Sequence, residues 1–404
     1  MDLSYSEEDQ AFRVEIRTWL EDNLTGEWAA LRGVGGPGRD HEMFEERLAW
    51  NRHLAAHGWT CVGWPVEHGG RGLSLWQQVI FHEEYARAQG PARVNHLGEE
   101  LMGPTLIAFG TPEQQARFLP KIVAVEELWA QGYSEPGAGS DLANVQTKAR
   151  LVPTDGEREE WVIDGQKVWT SNAHLSQWVF VIARTEPGSQ RHHGLSFLLV
   201  PLDQEGVDVR PIEQLTGGSE FNEVFFTGAR TDADLVVGEI GKGWPVAMGL
   251  LGFERGVSTL AQTVDYAREL AGVVDLAKRT GAIDDPVLRD RLAALSAELE
   301  VTRSFALRGL SSVEGGSDSA AGGGAGSIFK LVWANWHQRL GEVAMQVAGP
   351  ASLLARESGT PYDLDEWQRL FLFSRADTIY GGSDEVQKNI LAERVLGLPK
   401  EPRG

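Results

Sequence analysis

The stretch WVIDGQKVWTSNAHLSQWVFVIART, residues 161–185, decides the fold. Its β-branched and aromatic residues come in short runs broken by Asp-Gly and Ser-Asn, which is the pattern of strands joined by turns. Working outward, the same texture recurs in GLSFLLVPL (194–202) and NEVFFTGAR (222–230) and fades near residues 128 and 240. A block of antiparallel strands over 128–240 is therefore expected.

On both sides the helical period takes over. Phe12, Ile16, Trp19 and Leu20 recur at three- and four-residue spacing, and LWQQVIFHEEYARAQ (75–89) and TPEQQARFLPKIVAV (111–125) continue the pattern. Thr111 is placed to cap the second of these, with Pro112 at its first helical position. Beyond 240, helices are expected at about 245–278, 286–312, 327–347, 366–379 and 383–395. EGGSDSAAGGGAG (314–326) reads as a connector between two antiparallel helices, because no strand precedes it as a phosphate-binding loop requires. The expectation is an α+β fold in three parts: 1–127, an N-terminal α domain; 128–240, a middle β domain; 241–404, a C-terminal helical bundle.

Composition narrows the functional classes. Against 37 Lys and Arg stand 58 Asp and Glu, a formal charge of −21, which repels nucleic-acid phosphate and anionic membrane alike. Cys61 is the only cysteine, so no disulfide within the chain and no cysteine metal cluster is expected, and a reducing compartment fits. The acidic, helix-patterned start MDLSYSEEDQ lacks secretory or transit character, and no apolar run approaches the roughly 20 residues that span a bilayer. These readings give a cytoplasmic protein with no metal, nucleic acid or membrane partner.

Two stretches are suited to holding a cofactor. WAQGYSEPGAGSDLANVQTKA (129–149) contains a Gly-Ala-Gly-Ser turn whose backbone N–H groups are open to a pyrophosphate or a flavin edge. Trp169 and Thr170, followed by Ser171, bring an indole and hydroxyls to a strand end, where they can wall and hydrogen-bond an isoalloxazine. Taken singly, each reads equally well as a plain turn or as core packing.

Together they are more specific. SEPGAGSDLA (134–143), GQKVWTSNA (165–173), LVVGEIGKGWPVAM (235–248) and IYGGSDEVQKNILAERVLGLP (379–399) follow one another in an order and spacing that resembles the acyl-CoA dehydrogenase family over essentially the whole chain. The resemblance implies FAD held between the β domain and the C-terminal helices. It implies Gln131, Tyr133 and Ser134 at the flavin, Gly139 and Ser140 on its phosphate or substrate side, Trp169 against the ring with Thr170, Ser171 near N5, and Ser383 and Glu385 after the catalytic loop. It further implies a tetramer in which Arg279, Gln346 and Gly349 complete a neighbouring subunit's adenine site, with Pro350 replacing the family's second glycine. The assembly is either a homotetramer or an α2β2 pairing with a related chain.

The implied reaction is α,β-dehydrogenation of an acyl-CoA thioester, with electrons passed to an electron-transferring flavoprotein. It needs a carboxylate base for the α-proton and hydrogen bonds to the thioester oxygen. Many members carry the base in a Tyr-Glu-Gly segment, where this chain has Tyr380-Gly381. A backbone donor survives at Gly381; a carboxylate does not. Glu254, in GLLGFERGVSTLAQ (249–262), lies at helical spacing from Leu250, Leu251, Val257 and Ser258, an apolar stripe where an acid is costly without a purpose. Glu342, among Gln338, Arg339 and Gln346, is the weaker rival. Long-chain and isovaleryl members of the family place their base before an Arg on this helix, as in Glu254-Arg255. Phe253, Arg255, Tyr380 and Ser140 are implied as substrate contacts, and the room left beside Gly381 suits branched or bulky acyl groups. The alternatives are an FAD-binding partner subunit of a mixed tetramer, a flavin oxidase or monooxygenase on the same scaffold, and reduction of an enoyl thioester.

Overall fold

The computed structural model describes residues 5–154, 156, 158–253, 258–314, 321–354 and 363–400. The first helices are α1 (Glu7–Asn23), α2 (Phe44–Ala56), α3 (Leu75–Arg87), α4 (Gly103–Phe109) and α5 (Pro112–Val123). Their starts follow the expected chemistry: Ser6, Ser74 and Thr111 each form a capping box that satisfies amide groups the helix itself leaves unpaired. Phe12, Ile16 and Leu20 of α1 pack on Trp50, Trp59 and Phe81, so the first helix closes over the next two.

The middle block is one sheet: β1 (Trp129–Gly132), β2 (Lys148–Pro153), β3 (Glu159–Ser171), β4 (Trp178–Arg184), β5 (Leu195–Pro201), β6 (Val207–Ile212), β7 (Phe221–Asp232) and β8 (Val236–Val237). Strand order is β6-β7-β3-β2-β4-β5-β8, and β1 runs parallel to β4. β3 pairs with β7, and β4 with β5, in antiparallel register. β4 and β5 read as nearly unbroken apolar runs because both of their faces are covered.

The last part comprises α6 (Gly243–Phe253), α7 (Ser258–Thr280), α8 (Pro286–Glu314), α9 (Ala321–Ala348), α10 (Glu366–Ser374) and α11 (Asp384–Ile390), the last continued by a π-turn over Leu391–Val395. Its core is Tyr266, Leu295, Trp333, Trp336, Leu340 and Trp367. A second core joins the parts: Trp64, Leu101 and Met102 meet Trp129, Phe180 and Phe197 of the sheet and Val246 and Leu250 of α6.

Two expectations need correction. α9 begins at Ala321, inside the stretch read as a connector; a Cβ at Gly324 would sit 3.1 Å from Val395, so the glycine lets the π-turn pack close. α10 stops at Ser374 and not near 379, giving way to turns through residue 382. Among the described residues no helix is long and apolar enough to cross a membrane.

Candidate active site

The site starts with an ion pair inside the sheet. Lys167 of β3 is fully buried, and its Nζ donates to Glu135 Oε1 (2.8 Å), to the Tyr133 carbonyl (3.0 Å) and to the Ile182 carbonyl (2.9 Å). Glu135 in turn accepts from the N–H groups of Gln146 (2.6 Å) and Thr147 (2.9 Å). One carboxylate thus ties both feet of the Gly-rich turn, and the lysine fixes that knot to the sheet. Gly137, Gly139, Ser140 and Asp141 stand exposed on the turn it braces. Burial pulls the Lys167 amine down to about 8, against the pull of Glu135. Burial raises the Glu135 carboxyl, but the Lys167 charge and the hydrogen bonds outweigh it, and the group lies below its ordinary value.

Beside the turn, the Val168 N–H bonds the Ser134 carbonyl (2.9 Å), so the end of β3 and the turn form one surface. Here β3 bulges: Val168 and Trp169 together face one residue of β7 between the Lys167–Val224 and Thr170–Asn222 pairs. Trp169 takes φ +60°, a left-handed backbone that a bulky residue adopts only under constraint, and 57% of it is exposed. Its indole meets the Phe221 ring edge-on. Thr170 is fully buried and its hydroxyl has no partner among the described residues; Ser171 is half-buried. Gln131 is half-buried on β1 opposite Phe180, and Tyr133 is buried with its hydroxyl 3.5 Å from the Ala247 carbonyl of α6.

The third component is the turn after α10. Gly381 and Gly382 take φ of +61° and +88°, and a Cβ on Gly382 would lie 2.5 Å from Gln387 Nε2. That amide, fully buried, donates to both glycine carbonyls (3.1 and 3.3 Å). Ile379, Tyr380 and Asp384 spend their N–H groups within the turn, whereas among the described residues the Gly381 N–H has no acceptor. Gripping the carbonyls while leaving that amide open makes it a fixed hydrogen-bond donor. Ile379 and Tyr380 present 68% and 41% of their surface. Ser383 caps α11 through the Val386 N–H, and Glu385 is fully exposed, its carboxyl lowered by a hydrogen bond from its own amide and then by Ser383.

The bridge between sheet and bundle is the Gly-rich loop around Gly38. Gly38 donates its N–H to Glu220 (2.9 Å), while Arg369 of α10 donates to the carbonyls of Gly38 (3.1 Å) and Thr216 (3.2 Å). Phe253 ends α6, half-buried. Glu254 and Arg255 lie outside the described residues. Glu342 is half-exposed and paired with Arg375 (2.8 Å), on the polar face anticipated for it. Gln346 accepts from Arg291, and Gly349 has φ +61°. Arg279 ends α7, and with Gln346 and Gly349 it sits at the far end of the bundle, more than about 13 Å along α9 from His337. These three are not brought to the Gly381 turn in this subunit.

Lys167, Glu135 and Gln387 were not singled out from the sequence, although all three lie inside the quoted motifs. A signal existed for one: Lys167 lies two strand periods beyond the inward-facing Ile163, on the same face, where a lone cation demands a buried acid.

An open glycine turn, an exposed indole on a bulge and an open amide are features suited to a flat ring ligand. The chain belongs to the acyl-CoA dehydrogenase family: models of that family's N-terminal, middle and C-terminal domains match residues 6–126, 130–229 and 241–396. It is 64% identical over 403 residues to the acyl-CoA dehydrogenase IpdE1 of Mycolicibacterium smegmatis, covering 98% of this chain and 100% of that protein. Among solved structures, the Tcur3481-Tcur3483 steroid ACAD superposes with a TM-score of 0.83 at 30% identity, covering 99% of this chain and 100% of that one. The ChsE4-ChsE5 complex of Mycobacterium tuberculosis gives 0.79 at 29% identity, with the same coverage.

The chain is therefore an acyl-CoA dehydrogenase by family and a flavoprotein oxidoreductase with FAD as cofactor. Its residues fit that group. The partnerless Thr170 hydroxyl, the exposed Trp169 face and the sterically open Gly139, where a Cβ would meet nothing within 4 Å, supply a donor, a wall and a close backbone approach.

Proposed function

We propose that this chain catalyses α,β-dehydrogenation of a CoA thioester with a bulky, steroid-type acyl group, in a mixed tetramer with a related chain, and passes its electrons to an electron-transferring flavoprotein in the cytoplasm. The observation that carries the reading is the open Gly381 amide, in a turn whose two glycine carbonyls Gln387 holds. Negative charge develops on the thioester oxygen as the α-proton leaves, and a fixed donor there lowers the barrier without reorganising. Glu254 is the base, following α6 in the chain where the apolar Leu250 and Leu251 precede it. When bound, FAD supplies the acceptor for the β-hydride. Trp169, Thr170 and Ser171, together with the turn carrying Ser134, Gly139 and Ser140, hold it. Tyr380, Phe253 and Arg255 are assigned to the acyl substrate. Arg279, Gln346 and Gly349 serve the adenine end of a neighbour's cofactor. The steroid ACAD and the two-chain complexes among the structural neighbours support the acyl class and the mixed assembly.

The test is turnover of straight-chain, branched and polycyclic acyl-CoAs with an artificial acceptor. It is run on the chain alone, on the chain co-expressed with a related chain, and on Glu254→Gln. Expected are bound flavin in all preparations, preference for polycyclic thioesters, and at least about a hundredfold loss of turnover in Glu254→Gln. Unchanged turnover in the variant removes Glu254 from the mechanism. A second reading, an FAD-binding partner subunit without chemistry of its own, draws on the same two-chain neighbours; it predicts bound flavin, no turnover by the chain alone, and turnover of the mixed assembly that Glu254→Gln leaves unchanged.

A further inference from the structure

Behind the Gly381 turn lies a buried charge relay that none of the motifs announces. His337, on α9, is clamped from both sides: Nδ1 faces Asp377 Oδ2 at 2.6 Å and Nε2 faces Glu269 Oε2, from α7, at 3.0 Å. Asp377 is 1% exposed, and its second oxygen accepts the Tyr380 hydroxyl at 2.8 Å. The Asp377 backbone carbonyl accepts from Lys330, whose ammonium also lies over the rings of Trp333 and Tyr380 at 4.6 and 4.8 Å. The Tyr266 ring lies tilted against the imidazole, centroids 4.7 Å apart, and Gln338 donates to Thr378 Oγ1 at 2.9 Å. The contacts to Asp377, Thr378 and Tyr380 fall on the stretch immediately before Gly381, while Glu269 and Tyr266 hold the imidazole from α7.

A neutral imidazole donates from one nitrogen, so it satisfies one of the two carboxylates and leaves the other facing a lone pair; the imidazolium satisfies both. The relay therefore stores a cation at the base of the turn. Asp377, so neutralised, is free to serve as a rigid acceptor for the Tyr380 phenol. That phenol is one residue from the open amide. Among the described residues the turn's backbone bonds run from Ile379 and Tyr380 back to Ala376 and from Asp384 to Thr378, and none of them engages the Gly381 amide.

We propose that His337 and Asp377 are a positioning pair: through the Tyr380 hydroxyl they set the orientation of the Gly381 amide at the acyl cleft. The inference rests on the reading of Gly381 as the donor to the thioester oxygen. His337 touches neither substrate nor cofactor; it acts through Asp377 and Tyr380.

Two measurements on the FAD-loaded protein separate the inference from the reading beneath it. The first is amide hydrogen exchange over residues 378–382 in His337→Gln and in Tyr380→Phe, the latter removing only an oxygen from a half-exposed ring and so preserving the fold. Exchange there is expected to rise about tenfold in both, with α10 unchanged. The second uses acetoacetyl-CoA, a thioester whose α-carbon is acidified by its second carbonyl, and follows by absorbance the pH midpoint at which the bound probe becomes its enolate. Tyr380→Phe is expected to raise that midpoint by about one unit, a tenfold loss of enolate stabilisation, and the double variant to add nothing further. Unchanged exchange in Tyr380→Phe overturns the proposal, as does altered exchange with an unmoved midpoint. If exchange rises in the variants but the parent never stabilises the enolate, the relay as a clamp on the turn stands and the thioester reading falls.

Discussion

Replacing Lys167 by Met tests whether the Gly-rich turn at 137–141 is built on a single buried ion pair. Met keeps the stem volume and removes the ammonium. In its absence the Glu135 carboxylate, 7% exposed, keeps only the Gln146 and Thr147 amides, and the carbonyls of Tyr133 and Ile182 lose their donor. Breaking a buried pair from one side costs about 3–5 kcal/mol, and the two carbonyls add roughly 1 kcal/mol each where no water reaches them. The amides left on Glu135 return part of this, so a net loss of about 4 kcal/mol is expected. Guanidinium unfolding at fixed free FAD, followed by far-UV circular dichroism and flavin fluorescence, should show the midpoint falling with little change in slope. The Glu135→Gln, Lys167→Met double variant should lose about 2 kcal/mol less than the sum of the singles, because no unpaired buried charge remains. A Lys167→Met protein within about 1 kcal/mol of the parent, or strict additivity in the cycle, would refute the account.

Gly382→Ala should destabilise the turn, since the residue sits at φ +88° and the new Cβ meets Gln387 Nε2 at 2.5 Å; a loss of about 1–3 kcal/mol is expected in the same unfolding assay, and none would argue that the turn is soft. The His337 contribution should carry a signature in pH. Burial lowers its affinity for a proton, but the hydrogen bonds and charges of Asp377 and Glu269 win, lifting it to about 10 from 6.5. Its stabilisation is therefore complete below about 6.5 and lost as pH rises through about 10. The stability gap between the parent and His337→Gln should narrow over that window; a gap that widens would reverse the assignment. Lys167 works in the opposite sense, because an amine held near 8 when buried and at 10.5 when unfolded gains stability with rising pH between those values. The parent curve alone sums both effects, so the variants are needed to separate them.

The fold was legible wherever one periodicity dominated. The runs in 161–185 and 194–202 gave the central strands because β-branched residues covered on both faces leave few other solutions, and Thr111-Pro112 marked its helix start by capping chemistry alone. The α9 start was misread because Gly-rich composition argues against a helix locally, while the glycine at 324 leaves room for Val395, some seventy positions later, to pack against it. The end of α10 was overrun for the opposite reason: nothing in FSRADTIY breaks helix period, and the turn is held where the buried Asp377 carboxylate meets His337 and accepts the Tyr380 hydroxyl. Candidate site residues were legible as motifs, and the structure brings the Ser134 turn and the end of β3 into one surface. What holds them was not legible, because Lys167 and Glu135, or His337, Asp377 and Glu269, are tens of residues apart and meet only in three dimensions.

The two buried charge systems share a logic. Each places a cation behind a glycine-containing turn, and each spends its hydrogen bonds on residues next to the turn and leaves the turn itself open. Lys167 collects the Tyr133 carbonyl and Glu135 so that Gly137–Asp141 stands clear; His337 and Lys330 collect Asp377 so that Gly381 stands clear. A turn satisfied by its own side chains would be as stable and would have no donors left for a ligand. Moving the anchoring inward costs desolvation, which the depressed Lys167 amine records, and gives backbone N–H groups whose direction is fixed before anything binds. In this chain the residue before Gly382 is itself glycine, so no side chain at that position steers the amide. Its orientation falls wholly to Gln387 on one side and the Asp377–Tyr380 contact on the other.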